Sequence, residues 1–303
     1  MRRFTSDRIT RSIGAYLGSM TLCLPCLSNA STSVNICQAP AQEAHFTVGY
    51  YEQEKSGLAG GPGATNRTNY TTDLQVNSGS EWVFGAGHRS SILNVDDLAL
   101  QTNGYLHTFF FPIHRTTASA ARSFRFSVAP AVSGSSNVTK DPGEYTRDSL
   151  QLLAAFAWNR QIADRLGLNY GICADHRFGD FQIYPVIGVN WQPHPDWQIE
   201  LGFPASQVSY QASTTLHTSL RVMPNGNEWH VKDKKLENES QLVYDGYLIE
   251  WALNWRPHRQ FQFTGSVGRE FDARYEMTLA DGSRVRLVND AANRIGLTLA
   301  WFF

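Results

Sequence analysis

At 303 residues, with 42% hydrophobic and only 17% charged side chains and a mean hydropathy of −0.32, the chain is lean in charge without being oily. Beyond the first thirty residues no run approaches the ~18 consecutive apolar residues of a membrane helix, which excludes a helical membrane protein. A membrane barrel stays open, because only every second strand residue must face lipid.

The N-terminus reads as an export signal. Arg2, Arg3, Arg8 and Arg11 form a basic start, Ile13 to Leu27 is apolar with Pro25 near its end, and Ser28-Asn29-Ala30 supplies small residues for cleavage. Neither Cys23 nor Cys26 follows a small residue, as a lipoprotein signal would require. The expected division is therefore 1–30 signal peptide, 31–43 N-terminal periplasmic segment and 44–303 barrel. Cleavage after Ala30 leaves 22 basic and 26 acidic residues, a net charge of about −4 that argues against a nucleic-acid partner. Cys37 and Cys173 remain in an oxidising compartment. Two unpaired thiols are the expectation, because a bridge would require the N-terminal segment to enter the lumen.

From residue 44 onward the hydrophobic period is two, the mark of strands with one apolar face. In chain order the alternation is clearest at Leu150, Leu152, Ala154, Phe156 and Trp158; then Ile183, Pro185, Ile187, Val189 and Trp191; then Tyr247, Ile249, Trp251, Leu253 and Trp255; and last Ile295, Leu297, Leu299, Trp301 and Phe303. About twelve strands are expected, near 44–52, 69–77, 81–89, 104–113, 122–131, 147–158, 165–173, 181–191, 197–211, 240–255, 260–276 and 292–303. Ten or fourteen fit if the excursion from Ala212 to Glu239 or the segment Asp281 to Val288 is counted differently. Together these predict an all-β, antiparallel up-and-down transmembrane barrel.

Each of the four clearest strands carries a Trp at or near its end, and two run into nearly the same turn, Gln192-Pro193-His194 and Arg256-Pro257-His258. Alternate strands of a meander end at the same level, so Trp158, Trp191, Trp255 and Trp301 are expected to form an aromatic girdle at one membrane interface. Connections on that side are short. On the other side lie Gln53 to Arg67, Ser90 to Asn103, Ser133 to Arg147 and the 212–239 excursion with its charged run Lys232 to Lys235, the pattern of short periplasmic turns and long outer loops. On the opposite face of the strands, Arg125, Asp245, Glu250 and Glu270 are expected to project into the lumen, as the lining of a water path or as a paired polar core. Four prolines count against a closed barrel. Pro112, Pro130, Pro185 and Pro204 fall inside or at the ends of these strands, and each must sit where the ladder is broken.

The stretch Ile183-Tyr184-Pro185-Val186-Ile187-Gly188-Val189-Asn190-Trp191, followed by Trp197-Gln198-Ile199-Glu200-Leu201-Gly202-Phe203-Pro204 and Val208-Ser209-Tyr210, resembles an uncharacterised family of bacterial outer-membrane β-barrel proteins. Asn225-Gly226-Asn227-Glu228-Trp229 and Gly268-Arg269-Glu270-Phe271 are similar to it too, so the likeness covers roughly the last two thirds of the chain. It implies a barrel in the outer membrane of a Gram-negative bacterium and carries no catalytic, cofactor or metal residues. The strand Ile295, Leu297, Leu299, Trp301, Phe303 also resembles the sorting signal read by the barrel assembly machinery.

Two His-x-Ser pairs, His88/Ser90 and His217/Ser219, match the nucleophile and base of lipid-cleaving barrels, but nine His among many Ser make one such pair expected by chance. His194 and His258 sit in equivalent turns where a solvated role outweighs metal binding. The expected function is a small-solute channel, transporter or binding barrel, with no cofactor and with outer-membrane lipids, the assembly machinery and small solutes as partners. A passive wall or assembly protein and a lipid hydrolase or acyltransferase are the alternatives.

Overall fold

The computed structural model describes residues 34–41, 43–59, 63–96, 104–119, 121–233, 238–278 and 282–303. The expected signal peptide lies outside the described residues.

The chain folds as β1 (His45–Gly57), β2 (Ala64–Ser78), β3 (Trp82–Asp96), β4 (Tyr105–Phe110), β5 (Ile113–Ser119) and β6 (Arg122–Ser135), then a single helical turn α1 (Ser136–Thr139). There follow β7 (Leu150–Ala163), β8 (Leu166–Asp175), β9 (Gln182–Trp191), β10 (Trp197–Phe203), β11 (Ser206–Gln211) and β12 (Leu216–Pro224). The last strands are β13 (Asn227–Asp233), β14 (Asn238–His258), β15 (Phe261–Thr278), β16 (Arg284–Val288) and β17 (Ala292–Phe302). No helix among the described residues is long and apolar enough to cross a membrane.

All seventeen strands join one sheet, and β1 pairs with both β2 and β17, from His45↔Phe302 to Gln53↔Arg294, so the sheet closes. Three places in the ring are shared by collinear pieces: β4 and β5 both lie between β3 and β6, β12 and β13 both pair with β14, and β16 and β17 both pair with β15. Counted as staves, the barrel has fourteen. The two beyond the expected twelve have a definite origin. The run 197–211 is a hairpin, β10 and β11, turning at Phe203–Ser206, and Leu216–Pro224 within the supposed outer excursion is a wall strand. Across Pro204 the outward positions pass from odd (Ile199, Leu201) to even (Val208, Tyr210), as the pairs Ile199↔Val208 and Trp197↔Tyr210 require.

The prolines occupy breaks in the ladder. Pro112 separates β4 from β5, and Pro130 faces that break, its carbonyl accepting from Phe111 N–H at 3.0 Å. Pro185 sits on β9 above the last residue paired to β10, Ile187, and Pro204 is in the β10–β11 turn. Since Pro has no N–H to give, a broken ladder is where it costs least.

The turns β2–β3, β5–β6, β7–β8, β9–β10, β11–β12 and β14–β15 are short and lie at one end. At the other end the wall narrows. Beyond Pro224, β13 leaves the wall and crosses to β6, meeting it in a parallel bridge at His230↔Gly134. On the far side β16 and the residues after it reach β1 through Leu58↔Asn289. The upper ring thus runs β1-β2-β3-β4-β6-β13-β14-β15-β16 and bypasses β7 to β12. Trp229, Val231, Leu242, Tyr244 and Tyr275 pack beneath it with Leu93 and Leu106. Lys232 on β13 is held by Glu144 and, at 3.6 Å, Glu239; the neighbouring Lys234 and Lys235 lie outside the described residues.

Candidate solute path and its plug

Strand parity sorts the side chains. On β17, Ile295, Leu297, Leu299 and Trp301 are exposed while Arg294, Thr298 and Ala300 are buried inside. The same rule turns Leu150, Leu152, Phe156 and Trp158 outward on β7 and Gln151, Leu153 and Ala155 inward. The outer surface is apolar around the circumference. At the short-turn end Trp158, Trp191, Trp255 and Trp301 all lie on that outer surface, between 40% and 50% exposed, joined by Trp82 and Trp197.

The interior holds a segment expected outside it. Val34, Ile36 and Cys37 are buried against the inward-facing Phe110, Ala129, Leu153, Ala155 and Val186. Cys37 is disulfide-bonded to Cys173 of β8, with a Cα–Cα distance of 5.9 Å. Both expectations for this region are therefore corrected: residues 34–41 line the lumen, and the two thiols pair. The physical reason is space, since a fourteen-stave ring is too wide for its own side chains to fill. The plug is fixed at other points as well. Arg125 Nη2 donates to the Cys37 carbonyl, and Gln75 Nε2 donates to that of Ala41 at 2.6 Å. Beside the disulfide, Arg177 Nε and Tyr184 OH donate to Asp175 Oδ2 at 3.0 and 2.8 Å. Cys37, Cys173 and Asp175 are the one group with metal-ligand spacing among the described residues, and the disulfide removes both thiolates as ligands.

Two cavities flank the plug. One, of about 180 Å³, lies against β7 to β12 and is lined by Arg125, Asn159, Asn169, Asn190, Glu200 and Gln207. The other, of about 110 Å³, lies against β1 to β5 and is lined by His45, Asp73, Arg89 and His114. Gln38 and Ala39 line both.

Of the four charges expected in the lumen, two are tightly paired. Glu270 accepts from Arg67 Nη2 at 2.8 Å, Arg294 Nη1 at 3.2 Å, Asn225 Nδ2 at 2.6 Å and Tyr244 OH at 2.7 Å. Glu250 accepts from Arg221 Nη2 at 2.6 Å and Nε at 3.0 Å. On the inner face these staples join β2, β15 and β17, and tie β12 to its neighbour β14. Arg125 is 6% exposed and its Nε has no partner. Asp245 is the exception: it falls on the face of β14 opposite Glu250 and pairs with Arg274 at 2.7 Å. The register slip opposite Asp245 and Tyr247 places its extra residue on β15, between Phe271 and Arg274, so the odd spacing from 245 to 250 on β14 puts the two on different faces.

His88 does not engage Ser90. Its Nε2 meets His107 Nδ1 at 3.1 Å, and His107 Nε2 meets Ser136 Oγ at 2.7 Å, a chain assembled from β3, β4 and α1 on the outer face. Ser136 lies 48 residues from His88, so local spacing could not reveal it. Ser219 Oγ is buried without a partner, and His217 contacts Asn254. His194 and His258 do occupy equivalent turns: each Nδ1 accepts from the backbone N–H two residues on, at 3.3 Å.

Comparison with curated proteins gives no match. Solved structures similar to this chain include a KdgM porin in complex with disordered oligogalacturonate (7% identity, 85% of this chain and 99% of that one, TM-score 0.36). The toluene transporter TodX from P. putida (9% identity, 88% and 91%, TM-score 0.41) and a bacterial polysaccharide outer membrane secretin (9% identity, 86% and 99%, TM-score 0.41) are others. At these scores neither wall detail nor function carries over. The family described as "Domain of unknown function (DUF6268)" matches residues 123–293. That span runs from β6 into β17, more than half of the sequence, and the chain belongs to that family.

Proposed function

We propose that this protein is an outer-membrane barrel that passes small polar solutes and is closed, in the state described, by its own N-terminal segment. The observation that carries the reading is the interior: two cavities of about 180 and 110 Å³, each reached by charged side chains (Arg125 and Glu200 in one, Asp73 and Arg89 in the other) and separated by Gln38 and Ala39. An apolar outer face with Trp158, Trp191, Trp255 and Trp301 at one end suits hydrocarbon bounded by an interface. The export signal and the terminal strand Ile295 to Phe303 suit delivery by the barrel assembly machinery. The test is swelling of proteoliposomes in neutral sugars of graded size, after the disulfide is reduced. Entry of sugars up to a size limit is expected; swelling no faster than in protein-free liposomes rejects the reading.

One observation favours a second reading, ester hydrolysis at the outer wall. Ser136, His107 and His88 stand as nucleophile, base and orienting group. Ionisable groups on a lipid-facing wall are costly and tend to be functional. In this chemistry Ser136 Oγ would bond to an acyl carbonyl, its proton passing to His107 Nε2 and then to the departing alcohol, and water would release the acid. A fluorophosphonate probe should label wild-type protein and leave Ser136→Ala unlabelled; absence of label on the folded wild type ends this reading.

A further inference from the structure

The fourteen staves do not form a wall of even height. The β10–β11 hairpin turns at Phe203–Ser206, and the last β9 residue it covers is Ile187, so Gln182 to Val186 have no partner on that side among the described residues. On the other flank, Ser206 pairs with Val222, which leaves Met223 and Pro224 uncovered. Phe203 stands six residues above Trp197. At ~3.3 Å per residue and a tilt of ~40°, that is roughly 15 Å above the Trp level, inside an apolar band ~25 Å tall. Bare strand edge is not tolerated in hydrocarbon unless it borders a cavity.

Here it does. The 180 Å³ cavity is lined by inward-facing Arg125 and Glu200 and also by Ile187, Leu201 and Phe203, which belong to the outer face. Gly188 pairs with Gly202 between them, so no side chain fills the wall at that level. Three rings stand in the gap: Phe203 stacks on Phe178 (centroids 5.7 Å) and meets Tyr184 edge-on (5.8 Å). Above, the route is roofed where the β8–β9 loop lies against the inturned chain, a Cβ at Gly226 meeting Gly179 N at 2.6 Å.

The polar end of the cavity has unspent chemistry. Arg125 is 6% exposed, donates to the Cys37 carbonyl and, among the described residues, has no partner at Nε. Glu200, on the same cavity, is engaged by Gln198 at 2.7 Å rather than by Arg125. A cation and a carboxylate on one cavity, unpaired with each other, are complementary to a head group that carries both signs. We propose that the gap above the β10–β11 turn is a side port through which a single-chain zwitterionic amphiphile enters from the bilayer, its head between Arg125 and Glu200 and its chain leaving past Phe203.

The port rests on the reading of the lumen as a solute-holding space, and its test is separable from that of permeation. Folded barrel in octyl glucoside is mixed with 14-carbon lysophosphatidylethanolamine, with myristate or with tetradecyl maltoside, and adducts are read by native mass spectrometry. A one-to-one adduct with the lysolipid is expected, at least about tenfold favoured over the other two. Glu200→Gln should shift the preference toward myristate, and Arg125→Gln should weaken both charged ligands about tenfold, with heat-modifiable mobility confirming that each variant folds. Phe203→Ala should speed lysolipid capture from nanodiscs severalfold. Equal binding of all three amphiphiles, no adduct at all, or a Glu200→Gln variant with unchanged preference would overturn the port. None of those outcomes bears on sugar entry, which fails or succeeds in the swelling assay.

Discussion

Reducing the Cys37–Cys173 bond in protein reconstituted into planar bilayers should raise mean conductance by about tenfold or more, and Cys173→Ser should reproduce this without reductant. With the bond intact, residue 37 is tied to β8, so chain on either side of it can move only as far as the tether allows. Without it, what holds the plug is burial of Val34 and Ile36, worth roughly 1.5–3 kcal/mol each, and the hydrogen bonds from Arg125 and Gln75. That is enough to favour the docked form and too little to keep it docked always. A further substitution, Ile36→Asp, places a carboxylate among Phe110, Leu153 and Val186 and should drive the reduced protein mostly open. Protease access to residues 34–41 should rise in parallel. Conductance that is the same before and after reduction, with the free thiols verified by alkylation, would mean that the segment is a fixed part of the wall.

Glu270→Ala should be the most destabilising single change in the lumen, at about 3–5 kcal/mol. Arg67 and Arg294 are 1% and 2% exposed and share this one carboxylate; removing it strands two buried cations. Tyr244 and Asn225 lose their acceptor as well. The loss should be read as a lower unfolding midpoint in urea, followed by the heat-modifiable band. Restoring balance tells charge from packing: Arg67→Met and Arg294→Met combined with Glu270→Leu should recover most of the stability, because a buried ionic set is worth little more than apolar residues of its own volume. A Glu270→Ala barrel within about 1 kcal/mol of the parent would show that the lumen there is wet.

How much of this was readable beforehand depended on distance along the chain. Outward faces were legible because parity needs only neighbours: Leu297 and Leu299 are exposed and Thr298 is not. The hairpin within 197–211, expected as one strand, has a local sign in the sequence, a slip from odd to even apolar positions with Pro204 at the slip. Leu216–Pro224 lies within the 212–239 stretch expected as an outer excursion, yet Leu220 and Val222 alternate with the inward Ser219 and Arg221 as a wall strand requires. The Arg67–Glu270 and Cys37–Cys173 pairs could not be derived by such means, because they join residues 203 and 136 positions apart and are decided by which stave faces which. For Asp245 the parity was already in the sequence, since five positions separate it from Glu250 on one strand.

The seam between β1 and β17 has a consequence for how the molecule is made. Its partners, His45 with Phe302 through Gln53 with Arg294, are separated by nearly the whole length of the polypeptide. The first strand to be synthesised therefore waits, one edge bare, until the final eleven-residue strand arrives. Such contact order makes closure slow, and until the last pairing forms the two edges of the sheet stay open to neighbouring chains.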